Sequence, residues 1–408
     1  MRGVFLSFYF GMKLIEQLVT TTSLNHDLQQ HFPALARFES SSEMEQSELY
    51  QQIKLQIERV LTAVVQENFA PVVIEQADRV RAVAWNIERG NQLAGILEAL
   101  FTHPDLASKD LYLLTELDDG MARSGNRNVP REIAQKLKLN YAFAPKYIAL
   151  NKGSGVEAFV TGENTKALHG LGIFSRFPIK NAHSIPIPSG KDKMHGAEKR
   201  LGGTRAVVAE IAHSAGAFRA AVVHLDAHSS RAHRVFQMKT LLDHLDSLPA
   251  LPTIIGGDWN TTTHNSQNAT RAILGYWRRV MMGAKNIARN HYPFPERFFE
   301  KDLFNFLEGR GFEWKTLNEI GVGSLHYDVD SFEKNTNLGE WVPAWCFPWI
   351  RWAMAKVGGR VSLKLDWFTG KNIKLANNSK PKVVGNLQTA DGTPLSDHDA
   401  IVLDFRLD

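Results

Sequence analysis

The sequence predicts a layered domain of mixed strands and helices, α/β or α+β in class, preceded by a helical N-terminal extension. Two patterns and one bulk property lead there. From Val80 onward, short runs rich in Val, Ile, Leu and aromatic residues alternate with stretches of helical spacing, the mark of sheets covered by helices. Before Val80 the strand texture is missing. The 408 residues, 44% hydrophobic and 22% charged, are ordinary for a globular chain with a sizeable core, and they exceed one typical domain.

Residues 1–80 form the extension. Within residues 46–68, Leu49, Ile53, Ile57, Val60, Leu61 and Val64 recur at helical spacing, and the polar run Ser40 to Glu45 precedes them as a linker or cap. This amphipathic helix is expected to dock on the main domain, residues 81–408. There, strands are expected at Val80–Trp85, Leu111–Thr115, Tyr141–Pro145, Leu171–Ser175, Thr204–Ile211, Arg219–His224, Thr253–Ile255, Leu363–Phe368 and Ala400–Phe405. Helices are expected at Gln92–Phe101, Arg131–Leu139 and Ala232–Leu248, the last capped by Ser229 or Ser230. Residues 265–360, rich in Arg, Phe, Trp and Pro, break the rhythm and read as an insertion.

Charge is uneven. Residues 1–80 carry 6 Lys and Arg against 10 Asp and Glu; the remainder carries 41 against 33. A mildly basic main domain suits an anionic substrate such as a phosphodiester, but falls far short of the basic stripe of a dedicated DNA-binding module. The single cysteine, Cys346, excludes an internal disulfide and a cysteine zinc site and fits a reducing compartment. The opening MRGVFLSFYFGM has an apolar run shorter than a signal-peptide core and no small-x-small cleavage site. No stretch reaches the ~20 apolar residues of a membrane span. The expectation is a soluble, cytoplasmic protein, and no feature points to an obligate protein partner.

Several apolar strands end in one carboxylate, amide or imidazole. RAVAWN ends in Asn86, LYLLTE in Glu116, and LPTIIGGDWN in Asp258 and Asn260; AAVVHLD carries His224, LKLDWF carries Asp366, and LSDH supplies Asp397 and His398 before a last strand. If these strands are neighbours, the side chains converge at one edge. A buried edge cannot hold so many acids without a cation or proton to balance them. Oxygen donors of this kind favour Mg²⁺ or Mn²⁺ over zinc, which points to metal-dependent hydrolysis.

At these residues the chain resembles a known family. WNIERG, TELD, GIFSRFPI, VVHLD, GGDWN, LDWF and SDHD occur in the order of the endonuclease/exonuclease/phosphatase superfamily, over about residues 81–263 and 361–408. That superfamily includes deoxyribonucleases, abasic-site endonucleases, deadenylases, neutral sphingomyelinases and inositol polyphosphate 5-phosphatases. The resemblance implies a four-layer sandwich of two packed sheets flanked by helices. It implies Glu116, Asn86 and Asp397 as ligands of the Mg²⁺ (or Mn²⁺). It implies a catalytic set of His398 paired with Asp366, Asp258 and Asn260 positioning the attacking water, and His224 donating to a phosphate oxygen. A tyrosine used in some nuclease branches has no clear counterpart here; Tyr141 and Tyr147 are candidates by position. Arg123, Asn126 and Arg205 are candidate phosphate contacts.

The implied reaction is phosphodiester cleavage by an activated water. Nucleic acid is the preferred substrate, and a sphingomyelinase-like or phosphoinositide-directed lipid phosphoesterase is the alternative. An inactive phosphate-binding module is the remoter one. His228 and His233 read as structural or solvent-facing, not as zinc ligands with His224. Trp341, Trp345, Trp349 and Trp352 would share one helical face, although Pro343 and Pro348 disfavour one long helix. These rings are expected to pack the insertion onto the sandwich, with peripheral membrane contact as the alternative.

Overall fold

The computed structural model describes residues 20–71, 78–265, 269–328 and 347–408. Strand β1 (Thr20–Thr21) leads through α1 (Phe32–Leu35), α2 (Ser41–Gln46) and α3 (Glu48–Thr62) to β2 (Val64–Asn68). The chain then alternates β3 (Val80–Arg89), α4 (Leu93–Thr102), β4 (Leu111–Asp119), α5 (Val129–Leu137), β5 (Asn140–Ala149) and β6 (Leu168–Ser175). Next come β7 (Ile179–Pro186), β8 (Arg200–Gly202), β9 (Arg205–His213), β10 (Gly216–Val223), α6 (Arg231–Asp246) and β11 (Thr253–Asp258). The insertion holds α7 (Ala269–Met282), α8 (Ala284–Asn290), α9 (Lys301–Gly309), β12 (Leu325–Asp328), α10 (Phe347–Ala355) and β13 (Arg360–Leu363). Finally, β14 (Asp366–Lys371), β15 (Ile373–Leu375), β16 (Lys382–Val384) and β17 (Ala400–Leu407) complete the sheets.

Four layers result. One sheet runs β1-β2-β5-β6-β4-β3-β17-β15, with β8 on β5 and β16 on β17; the second runs β14-β11-β10-β9-β7. Between them lie residues of alternate strand positions, among them Ala82, Ala84, Leu113, Ala142 and Ile173 from the first sheet and Val207, Ala209, Ala220, Val222 and Phe368 from the second. Many are small, so the sheets approach closely. Gly256 marks the limit: a Cβ there would sit 2.8 Å from Leu113 Cδ1. The outer face of the first sheet is covered by α3, α4 and α5, through Ile57, Val60, Ile96, Leu100 and Ile133. The outer face of the second is covered by α6 and α9, through Met238, Leu241, Leu303 and Phe304. Helix starts follow the sequence. Ser47 accepts from Tyr50 N to cap α3, and Ser230 accepts from His233 N to cap α6.

Three features depart from expectation. The helix expected over residues 46–68 stops at Thr62, and Val64–Asn68 pairs antiparallel with β5. An open sheet edge offers this β-branched pair backbone partners that outweigh the helical period. Leu24, Leu28, Phe32 and Leu35 join the same core as α4 and α5, so residues 20–68 are built into the first sheet and its cover. The strand expected at Leu363–Phe368 is two strands: β13 pairs β12, while β14 pairs β11. The break falls where Lys364 N donates to Tyr292 O and Leu365 O accepts from Trp259 N. The insertion, whose sequence carries little clean strand signal, contributes among its described residues the β12–β13 ribbon beside its helices.

Candidate active site

The site forms where strands of both sheets end. Parallel β3 and β4 carry Asn86 and Glu116, and their ladder slips between Asn86 and Arg89. Bulges of this kind re-aim side chains at sheet ends. Here they place Glu88 (φ 44°), Arg89 (φ 67°) and Glu116 (φ 56°) in the left-handed region, a conformation that non-glycine residues hold when the surroundings enforce it. In the facing sheet, Asp258 of β11 lies opposite Asp366 of β14. Asn86 ties the sheets together: its Nδ2 donates to Glu116 Oε1 (3.1 Å) and to Asp258 Oδ2 (3.2 Å).

His398 enters from the loop before β17. Trp85 Nε1 donates to its carbonyl (2.8 Å), and Ser396 Oγ donates to Asn86 O (2.7 Å), fixing the loop on β3. Its Nδ1 donates to Asp366 Oδ2 (2.8 Å), which also accepts from Ser324 Oγ (2.6 Å). The other ring nitrogen is 3.7 Å from Asp258 Oδ2. Burial disfavours charge on this ring, but Asp366 and Asp258 outweigh it and raise the His398 pKa well above its ordinary value. The shift favours the protonated ring, which donates from Nδ1 to Asp366 and turns its other N–H toward Asp258, 3.7 Å away.

Asp258 is 1% exposed. Burial pushes it up to about 7, against the pull of His398. It accepts from Asn260 N (2.8 Å), and Asn260 Nδ2 donates to Leu225 O (2.9 Å). His224 Nε2 is 3.5 Å from Asp258 Oδ2. Burial and Lys146 hold the His224 imidazole well below its ordinary pKa, so it is neutral. Among the described residues, His224 Nδ1 and Asp366 Oδ1 are buried without a hydrogen-bond partner, a costly state for polar atoms away from a reacting group.

Glu116, Asn86, Glu88 and Asp397, the residue before His398, offer a second set of oxygen donors near the site. Asp397 N donates to Glu88 Oε2 (3.1 Å). Burial, then Asp397 and Glu116, push Glu88 up to about 8; burial also raises Asp397, with Glu116 adding to it. Glu116 goes the other way: burial opposes its charge, but Arg89 holds it below the usual carboxylate range. The raised pair expresses an excess of negative charge that a cation would absorb. The donors fit a hard divalent ion. Among the described residues, the one set of three acid or imidazole side chains with ligand atoms all within 4.8 Å of one another is Asp258, Asp366 and His398, not the Glu88, Glu116 and Asp397 acids. That trio is less suited, because the hydrogen bond between His398 and Asp366 already occupies two of its groups.

Of the residues expected from sequence, Glu116, His224, Asp258, Asn260, Asp397 and His398 line one cavity of about 500 Å³. Asn86 and Asp366 touch it through direct hydrogen bonds to that set. The three candidate phosphate contacts lie elsewhere. Arg123 is 1% exposed and spent on Asp118, Glu198 and Glu157. Asn126 donates to Glu163 O and accepts from Thr165 N, holding a loop. Arg205 donates to Ser184. Tyr141 donates to Glu67 Oε1 (2.7 Å) outside the cavity, whereas Tyr147 lines it and stacks on His169 at 4.6 Å.

Sequence reasoning missed Glu88, two positions past Asn86, and the buried ionic network behind Glu116. Arg89 Nη1 is 3.0 Å from Glu157 Oε1, and His169 Nδ1 donates to Asp118 Oδ1 (2.7 Å). Asp118 sits in the same TELD segment as Glu116, which is the one signal that could have marked it. The tryptophans also differ from expectation. Trp349 and Trp352 are 51% and 47% exposed, not packed under the sandwich. Trp341 and Trp345 lie outside the described residues, as do Cys346 and the first nineteen positions. No described helix is long and apolar enough to cross a membrane.

No curated protein matches the chain in sequence. Similar solved structures include the human Nocturnin catalytic domain with bound sulfate anion, 16% identical with a TM-score of 0.44, the match covering 86% of this chain and 99% of that one. Two more are D. rerio TDP2 complexed with single strand DNA product (13%, TM-score 0.43, 81% and 100% covered) and a 3'-5' exonuclease (NExo) from Neisseria meningitidis (14%, TM-score 0.43, 80% and 99%). The family model described as Endonuclease/Exonuclease/phosphatase family matches residues 83–398. That span runs from β3 to His398 and includes every residue of the cavity centre, and the chain belongs to this family of phosphoester hydrolases.

Proposed function

We propose that this chain hydrolyses a phosphodiester with the help of a divalent cation, Mg²⁺ or Mn²⁺, held by Glu116, Asp397, Asn86 and Glu88. The observation that carries the reading is the buried His398–Asp366 hydrogen bond beside Asp258, in the cavity that Glu116 and Asp397 also line. The cation, when bound, supplies neutralisation of charge building on the phosphate oxygens.

The protein groups do the rest. Charged His398 donates to a non-bridging phosphate oxygen, where negative charge grows as the nucleophile attacks. Asp366 holds the ring in place and keeps it protonated. Asp258, pushed up to about 7, is matched to accept a proton from an attacking water near neutral pH. Asn260 fixes that carboxylate from its backbone N–H. Neutral His224 lines the cavity beside Asp258 and offers a ring N–H to a phosphate oxygen. Tyr147 and His169 close the wall behind Glu116.

The test is cleavage of bis(p-nitrophenyl) phosphate with Mg²⁺ or Mn²⁺, compared between the native chain and His398→Ala. Loss of at least 100-fold in the variant supports the assignment; general acid–base groups contribute about that much. Equal turnover by both proteins overturns it.

A further inference from the structure

The cavity extends well beyond the catalytic centre, and it changes character as it does so. Next to His398 the wall is the β12–β13 ribbon: Leu325 pairs by backbone with His398, and it packs with Leu363 and Leu365 into an apolar cluster joined by Tyr292, Tyr327 and Val361. Beyond the ribbon, α7, α8 and α10 form an arm lined by Ile273, Trp277, Val280, Ile287, Ile350 and Met354. The helices are joined there: Tyr276 Oη donates to Trp349 O (3.0 Å), and the Trp277 and Trp349 rings lie 6.2 Å apart. Both rings line the cavity yet are 46% and 51% exposed, so they stand at its rim. Leu274 and Met281 of α7 are exposed beside them, at 65% and 81%.

The cations lie on the other side of the centre. Lys146, Lys191, Lys193 and Arg200 line the cavity from β5, β8 and the segment between β7 and β8. Among the described residues the one cation lining the apolar arm is Arg279, which donates to Gly275 O and Thr263 Oγ1 and lies over the Phe299 ring at 4.5 Å. A nucleic-acid groove needs cations along the backbone track and flat rings for the bases. Among the described residues this arm has rings at Tyr276, Trp277, Tyr292 and Trp349 but no row of cations to track a phosphate backbone, and the rest of its lining is largely aliphatic. Such a surface recognises hydrocarbon.

We infer that the phosphodiester substrate is a lipid, with its scissile phosphate at the His398–Asp258 centre, its polar headgroup toward Lys146 and Lys193, and a hydrocarbon chain in the arm between α7, α8 and α10. The inference rests on the phosphodiesterase reading above. Hydrolysis adds water across the phosphorus–oxygen bond, leaving a phosphomonoester on one product and a hydroxyl on the other. The reaction needs no further reactant.

The experiment uses the full chain with Mg²⁺ or Mn²⁺ and three probes. One is bis(p-nitrophenyl) phosphate, which has no chain; another is a single-stranded oligonucleotide; the last is a series of monoacyl glycerophosphoglycerols, whose uncharged polyol headgroup suits the lysine side, from 6 to about 16 carbons, held below their micelle concentrations. The expected result is a kcat/KM that rises roughly three- to fourfold per methylene until the arm is full. Ala353→Trp, which fills the arm, is expected to lower the ratio of long-chain to chainless turnover at least tenfold. The native chain-length series needs no variant and so stands whether or not that variant folds. Glu116-dependent cleavage of the chainless diester with no effect of acyl length, or faster cleavage of the oligonucleotide, overturns the lipid inference and leaves the phosphodiesterase reading intact. No Glu116-dependent cleavage of any probe overturns the phosphodiesterase reading itself.

Discussion

His398 Nδ1 donates to Asp366 Oδ2 across 2.8 Å, joining a loop from the end of the first sheet to a strand of the second. The bond fixes the ring's orientation and keeps it charged. Asp366→Asn preserves the size of the partner but removes its charge. It is expected to lower kcat by about 100- to 10,000-fold with little change in KM, and to shift the pH profile to lower pH, because the ring loses the carboxylate that holds its proton. Steady-state kinetics from pH 5 to 9 check this; an unchanged profile would remove His398 from the chemistry.

Glu88 contacts Asp397 at the oxygen cluster. With the charge gone in Glu88→Gln, the concentration of Mn²⁺ giving half-maximal activity is expected to rise about 10- to 100-fold. The binding can also be read without turnover. Mn²⁺ should raise the melting temperature of the native chain by mass action, and by much less in Glu116→Ala. Equal thermal shifts in both proteins would place the ion elsewhere.

Arg123 is buried among Asp118, Glu198 and Glu157. Arg123→Ala leaves Asp118 without its arginine in a site that water does not reach, while Glu157 keeps Arg89 and Glu198 keeps Arg200. The expected cost is about 3–5 kcal/mol in chemical denaturation, far more than the loss of a surface phosphate contact. A stable variant with a raised KM would restore the substrate-binding role expected from sequence.

Lys364 is fully buried above the Trp367 ring, 4.6 Å from its centroid, and among the described residues its Nζ has no hydrogen-bond partner. Burial lowers its pKa from 10.5 to about 8. The unfolded chain therefore binds more protons between about pH 8 and 10.5, and this group makes the fold more stable as pH rises through that window. Below pH 8 the charged lysine costs roughly 3 kcal/mol. Lys364→Met is expected to recover much of that at pH 7, with the gain shrinking toward pH 10.5. Denaturation of both proteins at pH 7 and pH 10 measures the difference; a gain independent of pH would mean that packing, not charge, is responsible.

The sequence by itself determined the layered fold and the cavity centre. Strand positions such as Val80–Trp85 and Thr253–Ile255 follow from a local period of apolar residues, and local period survives without knowledge of the rest of the chain. Asn86, Glu116 and Asp258 were legible because each lies toward the end of such a strand, and His398 because it directly precedes one; strand ends of packed sheets meet. Tertiary structure decided what depends on distant partners. Val64–Asn68 became a strand because β5 offered an edge. Arg123 became structural because Glu198, 75 residues away, closes over it. Glu88 faces the oxygen cluster because a bulge between β3 and β4 turns the backbone to a positive φ. The apolar arm exists because α7, α8 and α10 of the insertion settle against the ribbon beside His398. None of these leaves a local trace, since charge pairing and cavity shape are set by contacts in space and not by spacing along the chain.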